Sequence, residues 1–341
     1  MFKVLRKLRR QLFRNRKLQS TLGYGIGEIF LVVIGILLAL QVNNWNEARL
    51  EKESEIENLI EIRTGLIGDL GDLIENTEVH QYAAQSCQIL IQNLEQNLPY
   101  HDSLDIHFGQ LATLTFFNSR SGAYEALKEK GLELIKNKTL RAKIIQLYDF
   151  SYDLIYVRDR MDEEDYGDVK KVYLQKFYQV GTGPGATPRN YEKLKKDTIF
   201  LNRLKYLADT RVYTRNNYNN HAFQVKELVN EISAELSEMT RLEYGEIYES
   251  FFLETHDTVK AVVLTGSFNA WDQDDLPMNY NPDQSRWEIT INLYPDFNYF
   301  YRFLIDGAPS LDPENPQKDF DAYKGEKSIR YVLPKRTRNK R

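Results

Sequence analysis

From Leu22 to Val42 the chain reads LGYGIGEIFLVVIGILLALQV, and within it Ile29 to Leu40 carries no polar side chain. A buried core helix usually keeps one polar face; here Glu28 and Gln41 stand only near the ends. The 21 residues of the whole stretch would make a helix of about 31 Å, matching a hydrocarbon core of about 30 Å. The pattern therefore predicts a transmembrane helix over 22–42. From Ile56 the apolar positions step by three and four: Ile56, Leu59, Leu66, Leu70, Leu73, Ala84, Cys87, Ile91, Leu94 and Leu98. That spacing predicts a long amphipathic helix, ended by Pro99. Arg63, Thr77 and His80 interrupt it, and with Gly65, Gly68 and Gly71 they argue against a strict coiled coil. Further helical spacing predicts two short helices over 118–150, parted near Gly131 and Asn137, then helices over 153–178 and 191–239 around a loop at 181–188. No strand is predicted in this middle part.

Past residue 247 the period changes from 3.6 to 2. In RWEITINL, Trp287, Ile289, Ile291 and Leu293 face one way, which makes Trp287 a predicted core residue. Tyr299, Tyr301, Phe303 and Ile305 alternate with Phe300, Arg302 and Leu304, and 259–264 and 329–333 read as two more strands. Turns fall at Asn281-Pro282-Asp283, Pro295-Asp296 and Asp306-Gly307. The fold class is thus a membrane-anchored α+β protein. One N-terminal transmembrane helix precedes a mostly α-helical middle domain, and an immunoglobulin-like antiparallel β-sandwich ends the chain. Its divisions are a basic cytoplasmic tip (1–20), the span (22–42), a helical domain (43–245), the sandwich (247–334) and a basic tail (335–341), expected to fray.

Charge gives the span a direction. Residues 1–20 hold eight Lys or Arg and no acid, whereas Asn43 to Ile60 is rich in Glu. The positive-inside rule puts the N-terminus in the cytoplasm and the later domains in the periplasm. With no small-x-small cleavage site, the segment reads as an uncleaved signal anchor. Whether Leu5, Leu8 and Leu12 lay a helix on lipid, or the charges only set topology, stays open. Gly27, Gly35 and Ala39 share a four-residue row, a candidate helix–helix contact and route to a homodimer; a loosely packed glycine-rich helix is the plainer reading. The soluble part has no global basic excess, since 45 Lys plus Arg stand against 49 Asp plus Glu, so nucleic acid is not an expected partner. Cys87 is the single cysteine and allows no internal disulfide.

Candidate chemistry is sparse. His101 and His107 bracket a five-residue gap, expected to be a loop, without a recognised metal spacing. DEEDYGD at 162–168 lacks two calcium-loop ligand positions. GTGPGAT has the glycines of a phosphate loop and no Lys-Ser/Thr after them. No nucleophile elbow appears. The expectation is a non-catalytic protein, with no metal and no cofactor.

Two stretches resemble known families. GEIFLVVIGILLALQVNNWNE (27–47) and SGAYEALKEKGLELIKNKTLR (121–141) resemble a family of uncharacterised single-pass membrane proteins of Gram-negative bacteria. That resemblance implies membrane anchoring and no known reaction. VVLTGSFNAWDQD, SRWEITINL, YFYRFLIDG and LDPENP resemble, in order and spacing, the family-48 carbohydrate-binding modules. Among these they are most similar to the glycogen-binding module of the AMP-activated protein kinase beta subunit. The resemblance implies an α-glucan ligand held by two tryptophans and a lysine. The first tryptophan matches Trp271, in a loop after Asn269; the lysine matches Arg302. The second would fall at Pro309, which removes half the stacking platform, and Tyr323 is a candidate substitute. The physical basis stands apart from the family: sugar rings stack on an exposed aromatic, and their hydroxyls need a few placed donors. Two functions follow as expectations, an inner-membrane-anchored protein presenting a glycan-binding or sensing module to the periplasm, and an anchored scaffold whose sandwich contacts a partner protein.

Overall fold

The computed structural model describes residues 16–178, 185–255, 258–321 and 325–336, with side chains in the first helix from Ile29 onward, Leu31 apart. Residues 1–56 and 57–341 form two compact units, each taken by itself.

The first unit is helical from Arg16, where α1 (Arg16–Glu95) begins. Ile29, Phe30, Val32, Val33, Ile36, Leu37, Leu38 and Leu40 are all exposed. At 100° per residue they cover every side of the helix, so this stretch has no core-facing stripe within its own unit. Among the described residues no helix is long and apolar enough to cross a membrane. The predicted span rests in part on residues 22–28 and 31, whose side chains lie outside those described. Gly35 opens on free space and Ala39 is exposed; Gly27 falls outside.

In the second unit, α1 from residue 57 onward buries Leu59, Leu66, Leu70, Leu73, Ala84, Cys87, Ile91 and Leu94, as the spacing predicts, with Ile62 and Leu90 beside them; Leu98 is exposed beyond the helix end. The helix stops at Glu95, and Asn97 takes a left-handed conformation (φ 54°) before Pro99. Around it stand α2 (Leu104–Gln110), α3 (Gly122–Lys130), α4 (Lys138–Gln146), α5 (Tyr152–Lys176), α6 (Tyr191–Lys195) and α7 (Thr198–Thr240). The break near Gly131 falls as expected, since Gly131 has φ 113°. Asn137 caps α4 by accepting from the amides of Thr139 and Leu140. Asp197 caps α7, which starts three residues after α6 ends, so the helical stretch predicted over 191–239 is two helices.

Other expectations need correction. The segment around His107 is helical, because Leu104 and Phe108 bury one turn apart in the core. A small strand pair, β1 (Phe177–Tyr178) with β2 (Thr187–Pro188), stands where no strand was expected. The interruptions in α1 are not flaws either. Arg63 and His80 are fully buried. Cys87 is packed among Leu90, Ile91 and Phe108, and burial pushes its thiol up to about 12.

The sandwich begins after β3 (Leu242–Glu243). One sheet is formed by β4 (Ile247–Glu254), β7 (Arg286–Leu293) and β6 (Asn279–Asn281), with β7 central. The other runs β10 (Lys318–Asp321), β11 (Gly325–Val332), β8 (Phe297–Ile305) and β5 (Val262–Gly266), with β9 (Ala308–Ser310) also on β8. Every pairing is antiparallel. The alternation in β8 is as read: Tyr299, Tyr301 and Phe303 point into a core with Phe251, Leu253, Leu264 and Val332. Trp287 packs on that core but is only partly buried, with its indole N–H donating to Thr255 Oγ1 (3.1 Å). It is a lid on the core rather than its centre. β4, β6, β9 and β10 had no clear period, being edge or outward-facing pieces. The tail does not fray from its first residue, because β12 (Lys335–Arg336) pairs with β3.

Arg63 fastens the sandwich to the helical body. Its guanidinium donates to Ser233 Oγ on α7 (2.8 Å), to Pro295 O (2.9 Å) and to Tyr244 O (2.5 Å). It also lies near the rings of Tyr244 and Tyr294. Three carbonyl and hydroxyl acceptors thus stand in for a counter-ion.

Candidate functional site

The site is built on one loop, 266–272, between β5 and the rest of the sandwich. Gly266 is required by space: a Cβ there would come within 2.4 Å of Phe300 O and 2.9 Å of the Phe268 ring. The loop is clamped to β8 by Ser267, whose amide donates to Phe300 O and whose hydroxyl accepts from Phe300 N. Asn269 works inside the loop. Its Oδ1 accepts from Gly266 N (2.9 Å), and its amide donates to Asp272 O (3.2 Å). Asn269, a candidate sugar contact, thus also shapes the turn.

That turn places Ala270 and Trp271 in the left-handed region, at φ 52° and 64°. Two consecutive non-glycine residues there cost on the order of 1 kcal/mol or more each. The Trp271 amide closes the turn onto Gly266 O (2.9 Å). In this turn Trp271 is only partly buried.

Arg302 comes from β8 and faces outward between the inward Tyr301 and Phe303. Its guanidinium carbon lies 5.0 Å from the centroid of the Trp271 ring. Residues 31 positions apart in sequence are thus brought into one cation–π contact, which fixes the ring's orientation. Around them opens a hollow of about 240 Å³, lined by Thr265, Trp271, Gln273, Arg302, Leu304, Gly307 and Pro309. Pro309 does line the site, as an apolar wall without an aromatic ring to stack. Tyr323 lies outside the described residues. The hollow offers an aromatic face, an apolar floor and a planar cationic donor. That chemistry suits a ligand with apolar faces and hydroxyl edges.

A second constellation lies inside the helical body. Asp69, Asp159 and Asp162 are buried. Asp69 accepts from Arg120 N (2.7 Å) and Tyr152 OH (2.8 Å). Asp159 accepts from Tyr218 OH (2.5 Å) and Phe117 N (2.9 Å). Asp162 takes Thr214 Oγ1 (3.0 Å) and pairs with Arg158. Burial pushes the Asp69 carboxyl up to about 6. Burial, with Arg211 beside it, holds His80 down to about 3. Donors meet each of these carboxylates from neighbouring elements, which is the pattern of a polar core. Among the described residues no three His, Cys, Asp or Glu are grouped to hold a metal. His107 bonds Ser86 and His101 bonds Ser103, each through Nδ1.

The C-terminal part is thus an antiparallel sandwich with Trp271 beside Arg302, the pair expected of a carbohydrate-binding module. Comparison with known families agrees: residues 251–325 match the glycogen recognition site of AMP-activated protein kinase. Residues 28–181 match a separate family of unknown function, DUF6090. No curated protein matches the chain.

Proposed function

We propose that this chain is a non-catalytic, membrane-anchored protein that presents an α-glucan-binding sandwich in the periplasm. The observation that carries the reading is the pairing of Trp271 with Arg302 over an apolar hollow. The match of residues 251–325 to a glycogen recognition site supports it. Anchoring is supported by the exposed apolar residues on all sides of the first helix, a surface that water disfavours and lipid accepts. The orientation rests on the eight basic residues of 1–20.

A second reading, in which the sandwich holds a partner protein, draws on a different surface. Tyr248, Phe252 and Tyr280 are exposed on the β4–β7–β6 sheet, away from Trp271. The glycan reading takes precedence because the Trp271–Arg302 pair lies within the residues that match a glycogen recognition site.

The test is binding of the full chain, in detergent, to an array of α- and β-glucans. Retention on α-1,4-glucans that Trp271→Ala and Arg302→Ala lose is the expected result. A folded wild type that ignores every α-glucan overturns the reading. A periplasm-only reporter fused after Arg341 should be active; activity of a cytoplasm-only reporter there overturns the topology.

A further inference from the structure

Trp271 lines two hollows, not one. The second, of about 140 Å³, lies where the sandwich meets the helical body. Trp271, Asn298 and Phe300 form its sandwich wall, and Asp72, Glu75 and Arg120 its helical wall. The groove exists because α1 is bare there. A Cβ on Gly68 would fall 2.6–2.7 Å from Cδ, Nε and Cζ of Arg120, and a Cβ on Gly71 would stand 3.7 Å from Ser267 O. Gly68, which looks like a defect in a helical repeat, lets the Arg120 side chain lie across the helix, while the loop carrying Trp271 packs beside Gly71 at ordinary contact distance.

The groove is held firmly on both sides. Arg120 is tied by its amide to Asp69 Oδ1 (2.7 Å), and its guanidinium stands 3.7 Å from the same oxygen while staying half exposed. Asp72 is oriented by Asn76 Nδ2 (3.2 Å) and Asn118 N (3.0 Å). Arg63 fixes the sandwich against the helices. The wall therefore combines two aromatic surfaces with a planar donor, an amide and two carboxylates. Two acids against one arginine disfavour a phosphate or an anionic glycan. Carboxylates accepting from vicinal hydroxyls beside an aromatic ring favour a neutral sugar.

We propose that a neutral α-glucan chain runs from the Arg302 hollow past Trp271 into this groove, so that the helical body supplies the second half of the sugar site. The inference rests on the glycan reading above. It also explains how a site with Pro309 in place of a second ring can hold a glucan: the missing contacts come from the other domain.

The experiment is calorimetric titration of the full chain, in detergent, with maltotriose and with maltoheptaose. Wild type should bind the heptasaccharide on the order of tenfold tighter, the worth of one charged hydrogen bond or more. Arg120→Ala should bring the heptasaccharide to the trisaccharide's affinity while changing the trisaccharide less than twofold. Asn298→Ala, an exposed position that leaves the helical body untouched, should weaken the heptasaccharide selectively in the same way. If both variants bind maltoheptaose as wild type does, the groove is not a subsite and the sandwich binds alone. If wild type binds neither oligosaccharide, the glycan reading falls, and the groove with it.

Discussion

The helical body and the sandwich solve burial in opposite ways. The sandwich core is aromatic and nearly dry: Phe251, Tyr301, Phe303 and Leu264 close on one another. One polar knot lies at its edge, where the Tyr301 hydroxyl meets Asp312 and Asn315 (3.1 Å). The helical body instead buries Arg63, Asp69, His80, Asp159, Asp162 and Arg211 among its leucines. A dry core needs only shape, whereas a polar one needs every partner in place. The helical body is thus the part that a single substitution damages most. It is also the part able to offer oriented charges at its surface, as the Asp72–Glu75–Arg120 wall does.

The sharpest way to break this contrast is Arg63→Met. It strands acceptors on Ser233, Pro295 and Tyr244, so chemical denaturation should show a loss of about 3–5 kcal/mol. A loss under about 1 kcal/mol would mean that the two parts are held by apolar packing alone. Next in size is a pH effect. The folded Asp69 carboxyl titrates near 6, above its unfolded value of about 3.9. The folded state therefore keeps an extra proton between about pH 4 and 6, and this group's contribution to stability falls as pH rises through that window. Asp69→Asn should gain on wild type by on the order of 2–3 kcal/mol from pH 4 to 7. His80, held near 3, acts in the opposite sense in both proteins and cancels in the difference. Parallel stability curves for the two proteins would contradict the assignment.

In the sandwich the expected effects are smaller. Tyr301→Phe removes one donor to Asp312 and an acceptor for Asn315, and should lower stability by about 1–2 kcal/mol. Trp271→Ala should leave stability within about 0.5 kcal/mol, because the residue is only partly buried on a loop and its truncation opens no core cavity. A cost there as large as at Tyr301 would mark Trp271 as a core residue.

The same contrast decides what was legible in the sequence. The sandwich strands β7 and β8 announced themselves by strict alternation, and Trp271 and Arg302 by the motifs around them. Arg63 and His80 could be seen only as breaks in an apolar repeat. Arg63's partners lie 170, 181 and 232 residues away, and no local pattern carries that distance. Gly65 and Gly68 look like weak points of a helix, yet Arg120 lies so close to both that a Cβ would meet it at 2.9 and 2.6 Å. Asn269 fits a ligand contact and a turn former alike, because the two roles use the same residue types. The left-handed pair Ala270–Trp271 gave no signal, since neither residue favours positive φ.

The central claim is that a sugar ring lies on Trp271. The chain has three tryptophans, so Trp45→Phe with Trp287→Phe leaves Trp271 as the sole indole. The most direct measurement is the emission of that variant during titration with maltoheptaose. A saturable change in intensity or wavelength, at the affinity found by calorimetry, is predicted. Binding by calorimetry with an unchanged Trp271 spectrum would contradict the account and place the sugar elsewhere.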